Sequence, residues 1–309
     1  MFSFREKSEQ GLLAGISFSE EGIALALVNH SLNTVKLEFC QFYPCFANQQ
    51  EETLRQLVKT HQLNSVPCNF ILQPEEYQLL QVDTPEVPKQ ELTAALRWQI
   101  KDLIDFHVDD AVIEHISLPD QGTSGKNQLL VIASRSSVIQ SHVDTFQAAN
   151  CQLSTIDIAI QAARNIINRV STAETSIGVL NLWNGLSKIS VILNQDIYIN
   201  RTSSIGLESL NFVSEDDYNS QSILDSLALE LQRTFDYYES HARQASLTHL
   251  FILSNGPEIN NIDQLLQQRL GIDCFNIDIL DILPTNSSAK NTIDNRCLSA
   301  IGGALRSSI

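Results

Sequence analysis

Residues 223–256 read ILDSLALELQRTFDYYESHARQASLTHLFILSNG, and this stretch decides the fold class. Its apolar side chains recur at intervals of three and four residues, which predicts one long amphipathic helix. The buried face of that helix comprises Leu224, Leu227, Ala228, Leu231, Phe235 and Tyr238. The apolar run at 250–253 then predicts a short strand covered on both faces, ending at a turn at 254–256. A helix that leads into a buried strand indicates an α/β fold, in which ligands bind where strands meet loops.

The composition predicts a soluble, intracellular protein with a large interior. The chain has 309 residues, 43% of them hydrophobic, which suits two domains or two halves of one larger fold. The net charge of −16 argues against binding nucleic acid or anionic lipid through a broad surface patch. No apolar run approaches the roughly 18 residues of a membrane span. The N-terminus also lacks the hydrophobic region of a signal peptide, so we expect no direct membrane insertion.

The sequence contains no recognisable metal or catalytic motif. Its six cysteines form no C-x-x-C pair, and its seven histidines are never spaced as H-x-H or H-x-x-x-H. We therefore expect no metal site and reduced, buried thiols. The adjacent Asp109 and Asp110 point apart, which favours a solvated turn over an acid–base pair. Phosphate-binding glycine loops and a G-x-S-x-G elbow are missing, so no catalytic residue is predicted.

The first part of the chain predicts the strands of one sheet. Alternating or continuous apolar runs bounded by turn residues are typical of half-buried or buried strands. They occur at 11–18, 23–28, 35–42 and 69–72. A helix is predicted at 51–61, because Leu54, Leu57 and Val58 share one face.

An inserted module is predicted at 78–132, before a helix at 137–149. The insert consists of a strand, a helix at 89–105 and two further strands. One stripe of that helix is apolar and comprises Leu92, Leu96, Ile100, Leu103 and Ile104. Trp98 lies nearly opposite the stripe, which leaves two interpretations. It packs against a neighbouring subdomain, or it is exposed and anchors a partner protein.

The second half of the chain repeats the pattern of the first. A helix predicted at 155–170 joins the two halves. Three strands follow, at 177–182, 188–193 and 197–200. After the long helix and its strand, the chain predicts a helix at 261–270, a strand at 275–279, a polar loop at 284–292 and a closing helix at 298–305. Three strands followed later by a helix in each half indicate a weak internal duplication.

These elements resemble the actin-like ATPase superfamily, and four motifs resemble its PilM family. The motifs are ELTAALRWQIKDLIDFHVDDAVIEHISL at 91–118, LALELQRTFDYYES at 227–240, LTHLFILSNG at 247–256 and LSAIGGALR at 298–306. The resemblance implies an α/β, actin-like (ribonuclease H-like, duplicated) fold. Its first half would be residues 1–160, with an inserted subdomain at about 78–135 and with the closing helix, 297–309, packed back onto it. The second half would be residues 161–296, with a reduced insertion.

The resemblance also implies a place in the cell and a partner. Members of the PilM family are cytoplasmic components of type IV pilus assembly, and lie at the inner membrane through a protein partner. The degenerate motifs are similar to those of the MshI family, which serves mannose-sensitive haemagglutinin (MSHA) pili. The expected partners are the cytoplasmic N-terminal peptide of a PilN-like inner-membrane protein and the pilus assembly ATPase complex. Trp98, Ile104 and Phe106 are the expected peptide contacts.

The family pattern for ATP and Mg²⁺ is degraded in this sequence. Where the first hairpin of the family has Asp and then Gly, this chain has Ser17 and Phe18. Where the second hairpin has Asp and Gly, it has Asn181 and Trp183. Phosphate binding needs small residues that let backbone N–H groups approach, and Mg²⁺ needs hard oxygen ligands. A tryptophan at the second hairpin is expected to fill the phosphate site.

Two further departures concern the adenosine side of the site. The glycine-rich turn of the family retains only Gly256 here, before a proline. The span between 205 and 222 is too short for the subdomain that walls the cleft. Glu230 and Arg233 lie on the helix that would face adenine, and their alternative interpretation is a solvated helical face.

Three functions follow from these patterns. The favoured one is a non-enzymatic scaffold with no cofactor. The alternative is a nucleotide-binding ATPase of the same apparatus, with ATP and Mg²⁺. The third is a sugar or acyl kinase of the same fold, which would need a catalytic carboxylate that Ser17 and Asn181 do not supply.

Overall fold

The computed structural model describes residues 11–31, 34–119, 127–171, 176–210, 218–242, 247–285 and 293–306. The strands are β1 (Leu12–Ser19), β2 (Gly22–His30), β3 (Val35–Pro44), β4 (Cys68–Leu72), β5 (Gln78–Asp83), β6 (Ala111–Ser117), β7 (Gln128–Arg135), β8 (Leu153–Ile158), β9 (Ile177–Leu182), β10 (Ser187–Leu193), β11 (Asp196–Ser203), β12 (His249–Ser254) and β13 (Asp273–Asn276). The helices are α1 (Gln50–His61), α2 (Leu92–Ile100), α3 (Ser136–Ala148), α4 (Ala159–Ile167), α5 (Leu207–Leu210), α6 (Tyr218–Ala242), α7 (Ile262–Leu270), α8 (Ile279–Ile282) and α9 (Leu298–Ala304).

Each half of the chain contains a five-stranded sheet of the same order. The first sheet runs β3-β2-β1-β4-β8 and the second runs β11-β10-β9-β12-β13. In both, the first three strands are antiparallel, and the last two are parallel to the central strand. This repeat is the duplicated ribonuclease H-like arrangement of an actin-like fold, and it confirms the predicted fold class.

A third, three-stranded sheet is inserted between β4 and α3. Its order is β5-β7-β6, and all its pairs are antiparallel. Helix α2 covers one face and buries Leu96 and Ile100 against the sheet. The sheet contributes a small apolar core of its own, formed by Val82, Ala111, Ile113, Leu129, Val131 and Ala133.

The helix of this insert is shorter than its apolar stripe predicts. It ends at Ile100 and not near residue 105, and the chain then forms turns up to residue 106. Leu103 is consequently 58% exposed, whereas Ile104 still packs against the core of the insert. The prediction was too long because Leu103 and Ile104 keep the apolar spacing of a helix, and this spacing alone does not mark where a helix ends.

The predicted helix at 155–170 is wrong in its first part. Residues 153–158 form β8, which pairs in parallel with β4 and places Ile156 opposite Phe70. Only residues 159–167 are helical, as α4. The spacing of Ile156, Ala159 and Ile160 fits a helix, but the β-branched residues favour the strand once a sheet edge is available to pair with.

Other boundaries also differ from the prediction. The strand predicted at 275–279 lies earlier, at 273–276, and Ile279 begins α8 instead. The polar stretch predicted at 215–222 is already helical from Tyr218, while 215–217 lie outside the described residues. Most of the polar loop predicted at 284–292 also lies outside them. None of the described helices is both long and apolar enough to cross a lipid bilayer.

Helix α9 packs tightly between the halves. A Cβ on Gly302 would lie 2.3 Å from the carbonyl oxygen of Ala162 in α4, and one on Gly15 in β1 would lie 1.8 Å from that of Ala300. The amide of Asn69 donates to the carbonyl of Gly303 at 3.0 Å. Small residues therefore let the backbones of α9, β1 and α4 approach closely enough for direct contact.

One apolar core is shared between the two halves around α9. Ala24, Ala26 and Val28 of β2 contribute to it from the first half. From the second half come Ile177, Val179, Ile192 and Leu253. The halves are thus joined by buried side chains as well as by the chain itself.

Candidate functional site

Each five-stranded sheet begins with one hairpin, and the two hairpins face each other across a cleft of about 540 Å³. On one side lies the β1–β2 turn, in which Ser19 pairs with Gly22. On the other lies the β9–β10 turn, in which Leu182 pairs with Ser187. Carboxyl ends of parallel strands meet loops here, which is where ligands bind in α/β folds.

The walls of this cleft are acidic. The carboxylates that line it are Glu20, Glu21, Glu75, Glu76 and Glu208. Among the described residues lining it, Arg296 is the one guanidinium or ammonium group. A phosphate chain brought here would be repelled by these carboxylates and would find little compensating positive charge.

Arg296 is itself engaged by its own chain. Its guanidinium contacts the Asp294 carboxylate at 2.6 Å and the Glu21 carboxylate at 3.1 Å. It also lies over the Phe42 ring, 3.9 Å from the centroid. The hydrogen bonds from Arg296 hold the pKa of Asp294 below its usual range, so the pair is charged at neutral pH.

At the first hairpin, Ser17 and Phe18 point to opposite faces of the sheet, as neighbours in a strand must. Ser17 is buried and faces the cleft. The Phe18 ring packs into the core of the first half, with its centroid 4.9 Å from that of Phe70 and 5.9 Å from that of Phe146. The obstacle expected from the Phe18 side chain is therefore small, and the change at this hairpin is chiefly the neutral Ser17.

At the second hairpin, Asn181 is already hydrogen bonded within the protein. The Asn255 amide donates to the Asn181 side-chain oxygen at 2.5 Å and to the Leu182 carbonyl at 3.2 Å. The Ser299 hydroxyl in turn donates to the Asn255 side-chain oxygen at 2.9 Å. These neutral groups occupy the position at which the family pattern has a carboxylate.

The residues present do not fit a magnesium–nucleotide complex. Ser17 and Asn181 carry no charge, and the Asn181 oxygen is taken by Asn255. Trp183 is buried where a glycine would let a phosphate approach the backbone. Nowhere in the described ranges do three His, Cys, Asp or Glu side chains come together as metal ligands would.

Gly256 lies beside the second hairpin, where a Cβ on it would be 3.7 Å from the Asn184 side-chain oxygen, whereas Glu230 and Arg233 lie on α6. A Cβ on Gly256 would lie 2.7 Å from the Leu207 side chain, so this turn packs against α5. Glu230 and Arg233 are brought together on α6, beside a second cavity of about 750 Å³ next to β11, and Gly185 of the second hairpin lines both this cavity and the cleft. Residues 201–204 of β11 and the following turn form the facing wall.

The three expected partner contacts differ in exposure. Trp98 is 73% exposed on the outer face of α2, with the Lys101 ammonium 4.5 Å from its ring centroid. Ile104 and Phe106 are half-buried against the core of the insert. The Arg135 guanidinium lies 4.6 Å from the Phe106 ring centroid. Within the described residues, Trp98 thus packs against no neighbouring subdomain.

Sequence reasoning missed several residues of the cleft. Glu76 and His142 form a contact of 2.6 Å on its wall, and the His142 ring lies against Phe70. Glu21 and Arg296 are 275 positions apart, so no local pattern could have paired them. The one signal in the sequence that could have found Glu21 is its place between the strands predicted at 11–18 and 23–28, in the turn of the first hairpin.

Lys188 is buried at the contact between the halves. Its ammonium donates to the Thr202 hydroxyl at 2.7 Å and lies 6.0 Å from the ring centroid of Tyr77, which belongs to the first half. Burial lowers the pKa of Lys188 from its ordinary value of 10.5, and the charge of Glu75 opposes this shift. The folded protein therefore holds this proton less tightly than the unfolded chain does.

Replacing Lys188 by methionine is expected to raise the free energy of unfolding at pH 7 by about 1 kcal/mol. The change removes a buried charge and keeps a side chain of similar length. The cost of the charge disappears as pH rises through the lowered pKa, so the gain shrinks between pH 7 and pH 10. Urea unfolding at both pH values measures it, with Lys89→Met as the exposed control. A less stable Lys188→Met at both pH values would show that the ammonium is net stabilising.

Comparisons with known proteins agree with this architecture. The family model described as type IV pilus assembly protein PilM matches residues 47–223, which is more than half of the chain. A comparison with curated protein sequences gives no match.

Solved structures resemble the whole fold. A PilM–PilN type IV pilus biogenesis complex contains a chain similar to this one, with a TM-score of 0.74 and 16% identity over 95% of this chain and 98% of that one. The cytoplasmic domain of EpsL, an inner-membrane component of the type II secretion system of Vibrio cholerae, is similar with a TM-score of 0.51 and 12% identity, over 84% of this chain and 94% of that one.

A protein of unknown function with an actin-like ATPase fold, from Bacteroides thetaiotaomicron, has a TM-score of 0.50 and 7% identity, over 88% of this chain and 92% of that one. At these identities the structural likenesses show the fold, which is actin-like, as the strand order indicates. The match to the family model over most of the first half and into α6 goes further. The chain belongs to the PilM family of type IV pilus assembly proteins.

Proposed function

We propose that this protein is a non-enzymatic scaffold of a type IV pilus assembly apparatus. It would bind the cytoplasmic N-terminal peptide of a PilN-like inner-membrane protein, and so lie in the cytoplasm at the membrane surface. The observation that carries the proposal is the likeness, over 95% of the chain, to a structure described as a PilM–PilN complex. Contacts with the pilus assembly ATPase complex belong to the same proposal.

The peptide would lie between the first sheet and the inserted sheet. Strands β5 and β6 are the edges of the inserted sheet, and an extended peptide can pair with an open edge. Trp98 supports the proposal as a large exposed aromatic side chain on the same module. Ile104 and Phe106 are half-buried against the core of the insert and would contact the peptide with the parts of their side chains that stay exposed.

The alternative, a nucleotide-binding ATPase of the same apparatus, has less support. At the two positions where the family pattern has carboxylates for Mg²⁺ this chain has the neutral Ser17 and Asn181, and the carboxylates that line the cleft would repel a phosphate chain. A sugar or acyl kinase meets the same obstacle. The proposal also specifies the type of pilus. The degraded hairpins support assignment to an MSHA-type apparatus.

Calorimetric titration of the full chain with a synthetic peptide tests the function. The peptide would comprise the cytoplasmic segment that precedes the membrane span of the PilN-like protein from the same organism. We expect one saturable site with a Kd in the micromolar range, roughly −8 kcal/mol. A scrambled peptide of the same composition controls for non-specific attraction to the acidic surface. No saturable heat at high micromolar peptide would contradict the proposal.

A further inference from the structure

The side chain of Trp183 connects the two halves at the base of the cleft. It is 6% exposed and belongs to the β9–β10 turn of the second half. Its neighbours in one apolar cluster include Ile71 of β4, in the first half, and Ala159 and Ala162 of α4, the helix that joins the halves. Leu186, from its own turn, completes the cluster. The ring therefore lies between the halves and not on the surface of one of them.

The backbone of the turn that carries Trp183 is fixed by hydrogen bonds within the turn and to the start of α5. The Trp183 backbone N–H donates to the Leu186 carbonyl at 2.9 Å, and its carbonyl accepts from the Leu207 N–H at 2.7 Å. A Cβ on Gly206 would lie 2.3 Å from the Asn184 carbonyl oxygen, so the backbones are in direct contact. These contacts fix the backbone from which the indole extends relative to the start of α5.

Above the ring, polar side chains link the two hairpins. The Asn184 amide donates to the Glu21 carboxylate at 3.4 Å. The same carboxylate accepts from Arg296 at 3.1 Å. The indole Nε1 is buried with no hydrogen-bond partner among the described residues, so the contacts seen for the ring are the apolar ones.

We propose that Trp183 is a built-in wedge that fixes the distance and angle between the two halves, without any ligand in the cleft. Its apolar surface touches both halves, and close packing allows no small displacement without loss of contact. This goes beyond the proposed function, because it concerns how the halves are held and would stand whichever partner binds. The protein would then present its partner surfaces in one fixed arrangement.

Trp183→Gly tests the wedge, with Trp183→Phe as the conservative variant and Trp98→Phe as the matched control. Hydrogen exchange is measured in the β1–β2 and β9–β10 turns, and the radius of gyration by X-ray scattering. We expect exchange in both turns to rise at least tenfold in Trp183→Gly, with a larger radius of gyration. Trp183→Phe and Trp98→Phe should behave like the unmodified chain. A folded Trp183→Gly with unchanged exchange and radius would overturn the proposal.

A second measurement applies if Trp183→Gly does not fold. The chain has two tryptophans, so Trp98→Phe leaves Trp183 as the single fluorophore and Trp183→Phe leaves Trp98. We expect Trp183 to emit at shorter wavelength and to be quenched by acrylamide at least fivefold less than Trp98. Equal quenching of the two would show that the cleft opens freely and that no wedge exists. Peptide titration of the same variants reports separately on the proposed function.

Discussion

Replacing Gly15 by alanine is expected to destabilise the protein by about 3 kcal/mol or more. The added Cβ would lie 1.8 Å from the Ala300 carbonyl oxygen and 2.6 Å from the Ala304 backbone nitrogen. Both atoms belong to the backbone of α9, so no side chain can rotate to make room. Helix α9 would have to move off β1, and with it the core shared by the two halves. Urea unfolding followed by circular dichroism measures the loss.

Gly185→Ala is the matched control for this change. A Cβ on Gly185 meets nothing within 4 Å, and its backbone is not in the left-handed region. We expect its free energy of unfolding to stay within about 1 kcal/mol of the unmodified chain. If Gly15→Ala and Gly185→Ala lowered the free energy of unfolding by the same small amount, the close contact between β1 and α9 would be refuted.

Trp98→Ala is expected to weaken binding of the PilN-like peptide at least tenfold, or about 1.4 kcal/mol. The indole is 73% exposed on α2, and a partner that covers it would bury most of that apolar surface. Because the ring is exposed in the free protein, its removal should cost the folded chain little stability. The melting temperature should therefore stay unchanged while the Kd rises.

Leu229→Ala provides the matched control for Trp98→Ala. Leu229 is also a large exposed apolar side chain, but it lies on α6 in the second half. Its removal should leave the peptide Kd within twofold of the unmodified value. An unchanged Kd in Trp98→Ala would remove Trp98 from the interface, and an equal loss in Leu229→Ala would show that the effect is not specific to the insert.

Much of the fold could be predicted from the sequence because its elements are strongly periodic. The buried faces of α6 and α7 follow their apolar spacing, and β9 has the predicted bounds. Where the prediction failed, long-range contacts decide the structure. β8 is a strand because β4 offers an edge for parallel pairing, although its apolar spacing also suits a helix. For α9, the sequence shows the glycines but does not show which backbones they allow the helix to approach.

The site was less predictable than the fold. Comparison with the family pattern drew attention to Ser17 and Trp183, which line the cleft, and to Asn181, which is hydrogen bonded to the cleft residue Asn255. It could not show that Asn255 occupies the Asn181 oxygen, or that Arg296 is held by Glu21. These contacts join residues dozens to hundreds of positions apart, and their geometry depends on the packing of the halves. The sequence placed Ile104 on the apolar stripe of a helix that reaches residue 105, whereas α2 ends at Ile100 and Ile104 packs against the core of the insert from the turns that follow.

Thermal unfolding with and without millimolar Mg-ATP tests most directly the central claim that the cleft accepts no magnesium–nucleotide complex. A ligand that binds only the folded state adds about 2.7 kcal/mol at 100 times its Kd, which would raise Tm by roughly 4 °C in a chain of this size. We predict no shift beyond that produced by the same concentration of Mg²⁺ with inorganic phosphate. A saturable rise in Tm with Mg-ATP, absent with phosphate, would contradict the account.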